Sequence, residues 1–118
     1  MRPAAPLAAV VVPVYNAGAF LPACLRSIAA QTLQDFRCYL VDDGSSDGSG
    51  ALCEAAGRED MRFVALHQAQ CGVSAARAAG LRAALADRAR WIAFCDADDQ
   101  FHPDLLRVLI CHLYTSDA

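Results

Sequence analysis

The sequence predicts an α/β domain built on a mostly parallel, doubly wound, Rossmann-like sheet with helices on both faces. Three observations carry this. Segments of strand character and segments of helical periodicity alternate strictly along the chain, the order that βαβ units with right-handed crossovers produce. The first strand, Leu7 to Val14, is a near-continuous Ala/Val run, as expected of a strand covered on both faces. Polar clusters then follow directly on three of the strands, where open α/β sheets gather their ligands.

The elements follow in order. Asn16 to Gly18 supplies a turn after the first strand, and Phe20, Leu21, Cys24, Leu25 and Ile28 recur at helical spacing. Pro22 is tolerated only in a first turn, so a helix is expected from about Ala19 to Gln31. Phe36 to Asp42 reads as the second strand. The cluster Gly44-Ser45-Ser46-Asp47-Gly48 is turn-forming, and Asp47 or Ser49 is suited to cap a short helix through Ala56. Arg62 to Leu66 is the third strand, and Val73, Ala76, Gly80, Leu81, Ala84 and Leu85 mark a longer helix. Trp91 to Cys95, the fourth strand, runs straight into Asp96-Ala97-Asp98-Asp99. A last helix begins near Pro103-Asp104 and carries Leu105, Leu106, Leu109, Ile110 and Leu113.

With 118 residues, 56% of them hydrophobic and 19% charged, the chain is sized and balanced for one packed domain. A net charge of -3 and the lack of any Lys/Arg cluster argue against a nucleic-acid partner. Pro3, Pro6 and Pro13 interrupt the apolar N-terminal run, which therefore reads as a buried strand rather than a signal peptide, and a cytoplasmic protein is expected. No run of about 18 apolar residues is present, so membrane association is expected only through a C-terminal part that this chain lacks. The six cysteines stand one per element without metal-ligand spacing, and each is read as a small buried apolar residue.

Three features carry chemistry. The acidic run Asp96-Ala97-Asp98-Asp99 offers the oxygen ligands that Mg2+ or Mn2+ prefer, together with substrate phosphates. Asp42-Asp43 leaves a strand, where adjacent side chains point to opposite sides, so one carboxylate should face the pocket and accept a base N–H. Tyr15 offers a face for stacking, and Gly44 keeps the backbone approachable. Arg77, charged on an otherwise Ala/Leu/Val helix, suits a diphosphate.

Together, Val11-Val12-Pro13-Val14-Tyr15-Asn16, Gln31-Thr32, Val41 through Ser49, Gly72-Val73-Ser74-Ala75-Ala76-Arg77 with Gly80-Leu81, and Asp96-Ala97-Asp98-Asp99 with Pro103-Asp104 resemble the ordered signatures of family 2 glycosyltransferases of the GT-A fold. The resemblance covers roughly residues 7–113, as the N-terminal donor-binding half of such a domain. It implies that Pro13, Tyr15 and Asp43 line a nucleoside pocket, with Asp43 rather than Asp42 facing the base, and that Arg77 lies near the diphosphate. It also implies that Asp96 and Asp98 form the metal and ribose motif with Asp99 adjacent, leaving open which of the three touches the metal. The implied activity is transfer of a sugar from a nucleotide-diphosphate donor, a UDP-sugar foremost, to a hydroxyl of a glycan, lipid or protein acceptor. That transfer would be metal-assisted and inverting. Two departures stand out. Ala78 occupies a position where the family usually has Asn, and the family's general base lies beyond the segment present here. The ending Leu113-Tyr114-Thr115-Ser116-Asp117-Ala118 matches no motif and reads as translated adapter sequence, so the natural protein is expected to continue differently.

Three rivals compete. Asp43, Ser45, Asp47, Gly48, Ser49 and Glu54 fall at positions one, three, five, six, seven and twelve of a calcium EF-hand loop, although the preceding segment reads as a strand. Trp91 to Asp98 has the strand-plus-Asp-x-Asp pattern of a haloacid-dehalogenase-like phosphatase, with Asp96 as nucleophile. A non-catalytic nucleotide-sugar-binding relic of the glycosyltransferase fold would carry the same motifs.

Overall fold

The computed structural model describes residues 4–116, the side chains of the last five excepted. Its elements alternate as β1 (Ala8–Val14), α1 (Leu21–Ala29), β2 (Phe36–Asp43), α2 (Ser49–Glu59), β3 (Phe63–Gln68), α3 (Val73–Ala86), β4 (Trp91–Phe94) and α4 (Leu105–Ser116). The four strands form one parallel sheet in the order β3-β2-β1-β4. The chain therefore winds outward from β1 in one direction, then crosses back to place β4 on its other side, and that reversal creates a crevice at the carboxyl ends of the strands.

Every residue of β1 is buried, which is why its sequence lacks the alternation of a half-exposed strand. On one face, Val10, Val12 and Val14 pack with Leu21, Cys24 and Ile28 of α1, Cys53 of α2 and Leu106 and Ile110 of α4. On the other face, Ala9, Val11 and Tyr39 meet Ala84 of α3. Each fully buried aliphatic side chain contributes about 1.5–3 kcal/mol relative to exposure. The helix on this second face sits close because Gly80 faces Val11: a Cβ there would stand 2.3 Å from Val11 Cγ1.

Several boundaries differ from expectation. The first helix is shorter, because the carbonyl of Ala17 accepts both the Phe20 and Leu21 N–H groups in a tight turn that precedes it. α2 runs on to Glu59, and its N-cap is Gly48, which makes no side-chain cap. Asp47, one residue earlier, instead accepts the Ser49 N–H at 3.0 Å. The fourth strand ends at Phe94, which is 48% exposed at the sheet's edge. Cys24, Cys38, Cys53 and Cys95 are buried as expected, but Cys71 and Cys111 are exposed. The EF-hand reading fails here, because the segment before its loop is β2, a central strand rather than a helix. Leu113 and the ending from Tyr114 lie outside the described side chains.

Candidate functional site

At the carboxyl ends of the strands lies a cavity of about 430 Å3, lined in part by Pro13, Tyr15, Asp43, Asp96 and Asp98. Three clusters more than 25 residues apart in sequence meet there because β1, β2 and β4 are parallel neighbours. Tyr15, just past β1, is 48% exposed, so its ring is free to meet a flat ligand. Phe20, Gln70, Gly72, Val73 and Ala76 form much of the remaining wall. Sequence reasoning missed Phe20 and Gln70 as wall residues. Phe20 had read as part of the helix's apolar face, and Gln70 carried no signal.

The end of β2 separates its two aspartates as strand geometry requires. Asp43 points to the cavity side, where Oδ1 accepts from Gln68 Nε2 at 2.9 Å and Cys71 N–H at 2.8 Å, and Oδ2 accepts from Gly72 N–H at 3.0 Å. The bond from Gln68, followed by those from the backbone, holds its carboxyl below the ordinary carboxylate range. A carboxylate has about four acceptor positions, so Asp43 both builds the 70–72 wall and keeps capacity for a ligand N–H. Gly44 makes this approach possible. Its φ is +74°, and a Cβ there would stand 2.9 Å from Gln70 N.

Asp42 points the other way. Its Oδ1 accepts the Ser45 N–H at 3.0 Å and its Oδ2 meets His67 Nδ1 at 3.0 Å, while His67 Nε2 meets Glu54 of α2. Burial pushes the Asp42 carboxyl up, but the bonds from Ser45 and His67 outweigh it and leave it below its usual value. The bond to Glu54, then that to Asp42, raises the His67 imidazole above its usual range.

The segment 44–49, read from the sequence as a turn and cap, is also a clamp. Asn16, Ala17 and Gly18 donate their N–H groups in succession to Ser45 Oγ, Ser49 Oγ and Asp47 Oδ2, each at 3.0 Å. Asn16 Oδ1 in return accepts the Ser46 N–H at 2.8 Å. These bonds fix the loop that carries Tyr15.

On the opposite rim, Asp96, Asp98 and Asp99 are exposed, and one carboxylate oxygen from each lies within 4.8 Å of the others. Two oxygens on opposite sides of one divalent cation stand about 4–5 Å apart, so these hard donors fit a Mg2+ or Mn2+ ion. Asp99 does not line the cavity. Neither does Arg77: its Nη2 lies 3.3 Å from Asp96 Oδ1, with both side chains well exposed. An exposed pair of this kind contributes at most about 1 kcal/mol, so Arg77 is readily drawn to a stronger anion.

A model of the family described as glycosyl transferase family 2 matches residues 9–118. The Bacillus subtilis (strain 168) protein EpsJ, named an uncharacterized glycosyltransferase, is 42% identical over 94 residues, covering 80% of this chain and 26% of its own length. Among solved structures, S. aureus TarS 1-349 in complex with UDP superposes with a TM-score of 0.73 at 24% identity, covering 88% of this chain and 31% of that one. The mannosyltransferase PcManGT from Pyrobaculum calidifontis, in complex with GDP-Man and Mn2+, gives 0.69 at 22% identity, covering 86% and 30%. The chain thus spans about a third or less of the length of these proteins. At these identities the structural likenesses establish the fold, whereas the family match over residues 9–118 displaces the phosphatase reading of Asp96.

Proposed function

Because the chain belongs to glycosyl transferase family 2, we propose that it forms the donor-binding half of an enzyme that transfers a sugar from a nucleotide diphosphate to an acceptor hydroxyl. The observation that carries this reading is the convergence of Tyr15, Asp43, Asp96 and Asp98 on one cavity at the sheet's carboxyl edge. In it, the base stacks on Tyr15 and donates a ring N–H to the remaining acceptor position of Asp43. The diphosphate extends toward the acidic rim, where Arg77 exchanges its weak pairing with Asp96 for phosphate oxygens. Asp96, Asp98 and Asp99 would hold Mg2+ or Mn2+, which as a Lewis acid offsets the negative charge on the departing diphosphate. UDP is the expected nucleotide, in keeping with the UDP held by the TarS structure.

The acceptor, a glycan, lipid or protein, meets residues beyond this segment, as does the base that deprotonates its hydroxyl for an inverting transfer. The reaction belongs in the cytoplasm, on the side where the donor is made. None of the described helices is long and apolar enough to cross a membrane.

Calorimetric titration with UDP, GDP and TDP, in Mn2+ and then in EDTA, tests the donor site. One nucleotide is expected to bind more tightly with metal than in EDTA, and Asp98→Ala should remove that gain. Equal binding in EDTA, or an unaffected variant, would sink the metal role, and a folded chain that binds none of the three would sink the reading itself.

A further inference from the structure

Gln31 and Thr32 stand out in the sequence, yet neither lines the cavity. Gln31 is 2% exposed, too buried for its amide to be left without partners. Its Nε2 donates to the carbonyls of His102 at 2.7 Å and Ser27 at 3.2 Å, and its Oε1 accepts the Leu106 N–H at 3.1 Å. The bonds to His102 and Leu106 span more than 70 residues and reach the segment that follows the acidic rim. Nearby groups do the same. Ser27 Oγ accepts the Phe101 N–H at 3.0 Å, Thr32 N–H donates to the Pro103 carbonyl at 2.9 Å, and Thr32 Oγ1 donates to Asp104 Oδ1 at 2.7 Å.

The acidic turn is therefore suspended between two anchors. On its upstream side, Cys95 N–H donates to the Val11 carbonyl of β1 at 3.0 Å. On its downstream side, the chain from Phe101 to Leu106 is tied to the end of α1 and the residues just after it. Between these anchors, among the described residues, one backbone–backbone bond, from Asp99 N–H to the Asp96 carbonyl at 2.9 Å, shapes the turn, and the thiols of Cys24 and Cys95 reach that same carbonyl at 3.8 and 3.4 Å. The separation of the anchors then sets how far apart the three carboxylates stand.

We propose that Gln31 is a positioning residue for the donor site, fixing the spacing of Asp96, Asp98 and Asp99 and through it the affinity for a divalent cation. This rests on the donor-site reading. Groups that hold metal ligands in place without touching the metal typically change affinity by roughly 10- to 100-fold when removed, and a similar loss is expected here.

The test titrates Mn2+ into the 118-residue chain by electron paramagnetic resonance, and separately titrates uridine in EDTA by NMR. Gln31→Met keeps the shape and removes the polar atoms, and Ser27→Ala removes the acceptor for Phe101 in a less buried setting. Either variant should weaken Mn2+ binding roughly tenfold or more while leaving uridine binding at the Tyr15 and Asp43 end unchanged. A loss of packing alone would lower both affinities together, and that result overturns the positioning role. Wild-type affinity for Mn2+ in the folded variants also overturns it, with Ser27→Ala deciding should Gln31→Met not fold. Wild-type protein that takes up no Mn2+ brings down the metal role and this inference with it, whereas wild-type protein that binds neither Mn2+ nor uridine brings down the donor-site reading as well.

Discussion

Asp42 and Asp43 are adjacent and chemically identical, and the strand sends them to separate tasks. Asp43 holds the wall of the cavity, whereas Asp42 joins β2 to α2 through His67 and Glu54. That second linkage gives stability a pH dependence with a definite sign. The folded His67 imidazole titrates above its unfolded value of about 6.5, so its contribution is complete below that pH and is lost as pH rises through the folded value. The folded Asp42 carboxyl titrates below its unfolded value of about 3.9, so its contribution is present above that pH and fades as pH falls. The pairing is therefore strongest between about pH 4 and 6.5. Asp43, Asp47 and Asp60 are also held below their usual range, but a comparison of wild type with His67→Gln cancels their effect. The difference in melting temperature between the two proteins should peak near pH 5–6 and shrink by pH 9. A difference that stays constant across that range would mean the imidazole contributes no charge to the fold.

Among the elements, α3 lies against β1 at a distance set by one missing methyl group. Gly80→Ala would push a carbon into Val11, which is fully buried and cannot swing aside. Overpacking of this kind costs about 1–3 kcal/mol, more than the intrinsic gain of Ala over Gly within a helix, about 1 kcal/mol. Gly80→Ala should therefore lower the midpoint of urea unfolding, and adding Val11→Ala should recover part of the loss through a favourable coupling between the two sites. Strict additivity would place the damage elsewhere. Gly80 also marks what the sequence made legible and what it hid. Helical spacing identified α1, α3 and α4, an unbroken apolar run identified β1, and turn and capping residues marked the start of α2, since burial and turns each leave a pattern in the chain. Strand ends marked the pair Asp42-Asp43 and the acidic run, and the family resemblance chose Asp43 of the two. The bonds that the Asn16–Gly18 backbone donates to Ser45, Asp47 and Ser49, and those that join Gln31 to His102 and Leu106, leave no such pattern. They join segments about 30 or more residues apart, so the sequence could mark the residues without revealing what they hold. Arg77 was legible as an unusual charge, but its pairing with Asp96 was not.

For the whole molecule, a parallel sheet places its chemistry at one end and its edges at the sides, and the two edges here differ. β4 pairs with β1 on one side, and none of the other described strands pairs with it. Beside it, Leu109 joins Trp91, Ile92 and Ala93 along a shallow apolar cleft, Leu109 itself being 43% exposed, while Phe94 and Val108 are 48% and 58% exposed. A strand edge that no other described strand covers, next to apolar side chains, is a template for a second chain, because it offers a backbone edge and hydrophobic surface together. The isolated chain should therefore associate with itself through β4 and α4. In sedimentation velocity, its weight-average mass should rise above 12.6 kDa with concentration. Leu109→Glu should return it to the monomer at little cost in melting temperature, because the new carboxylate still reaches water at that position. Association that persists in Leu109→Glu would move the contact to another surface, and a wild type that stays monomeric at every concentration would show that the twist and brevity of β4 already protect this edge.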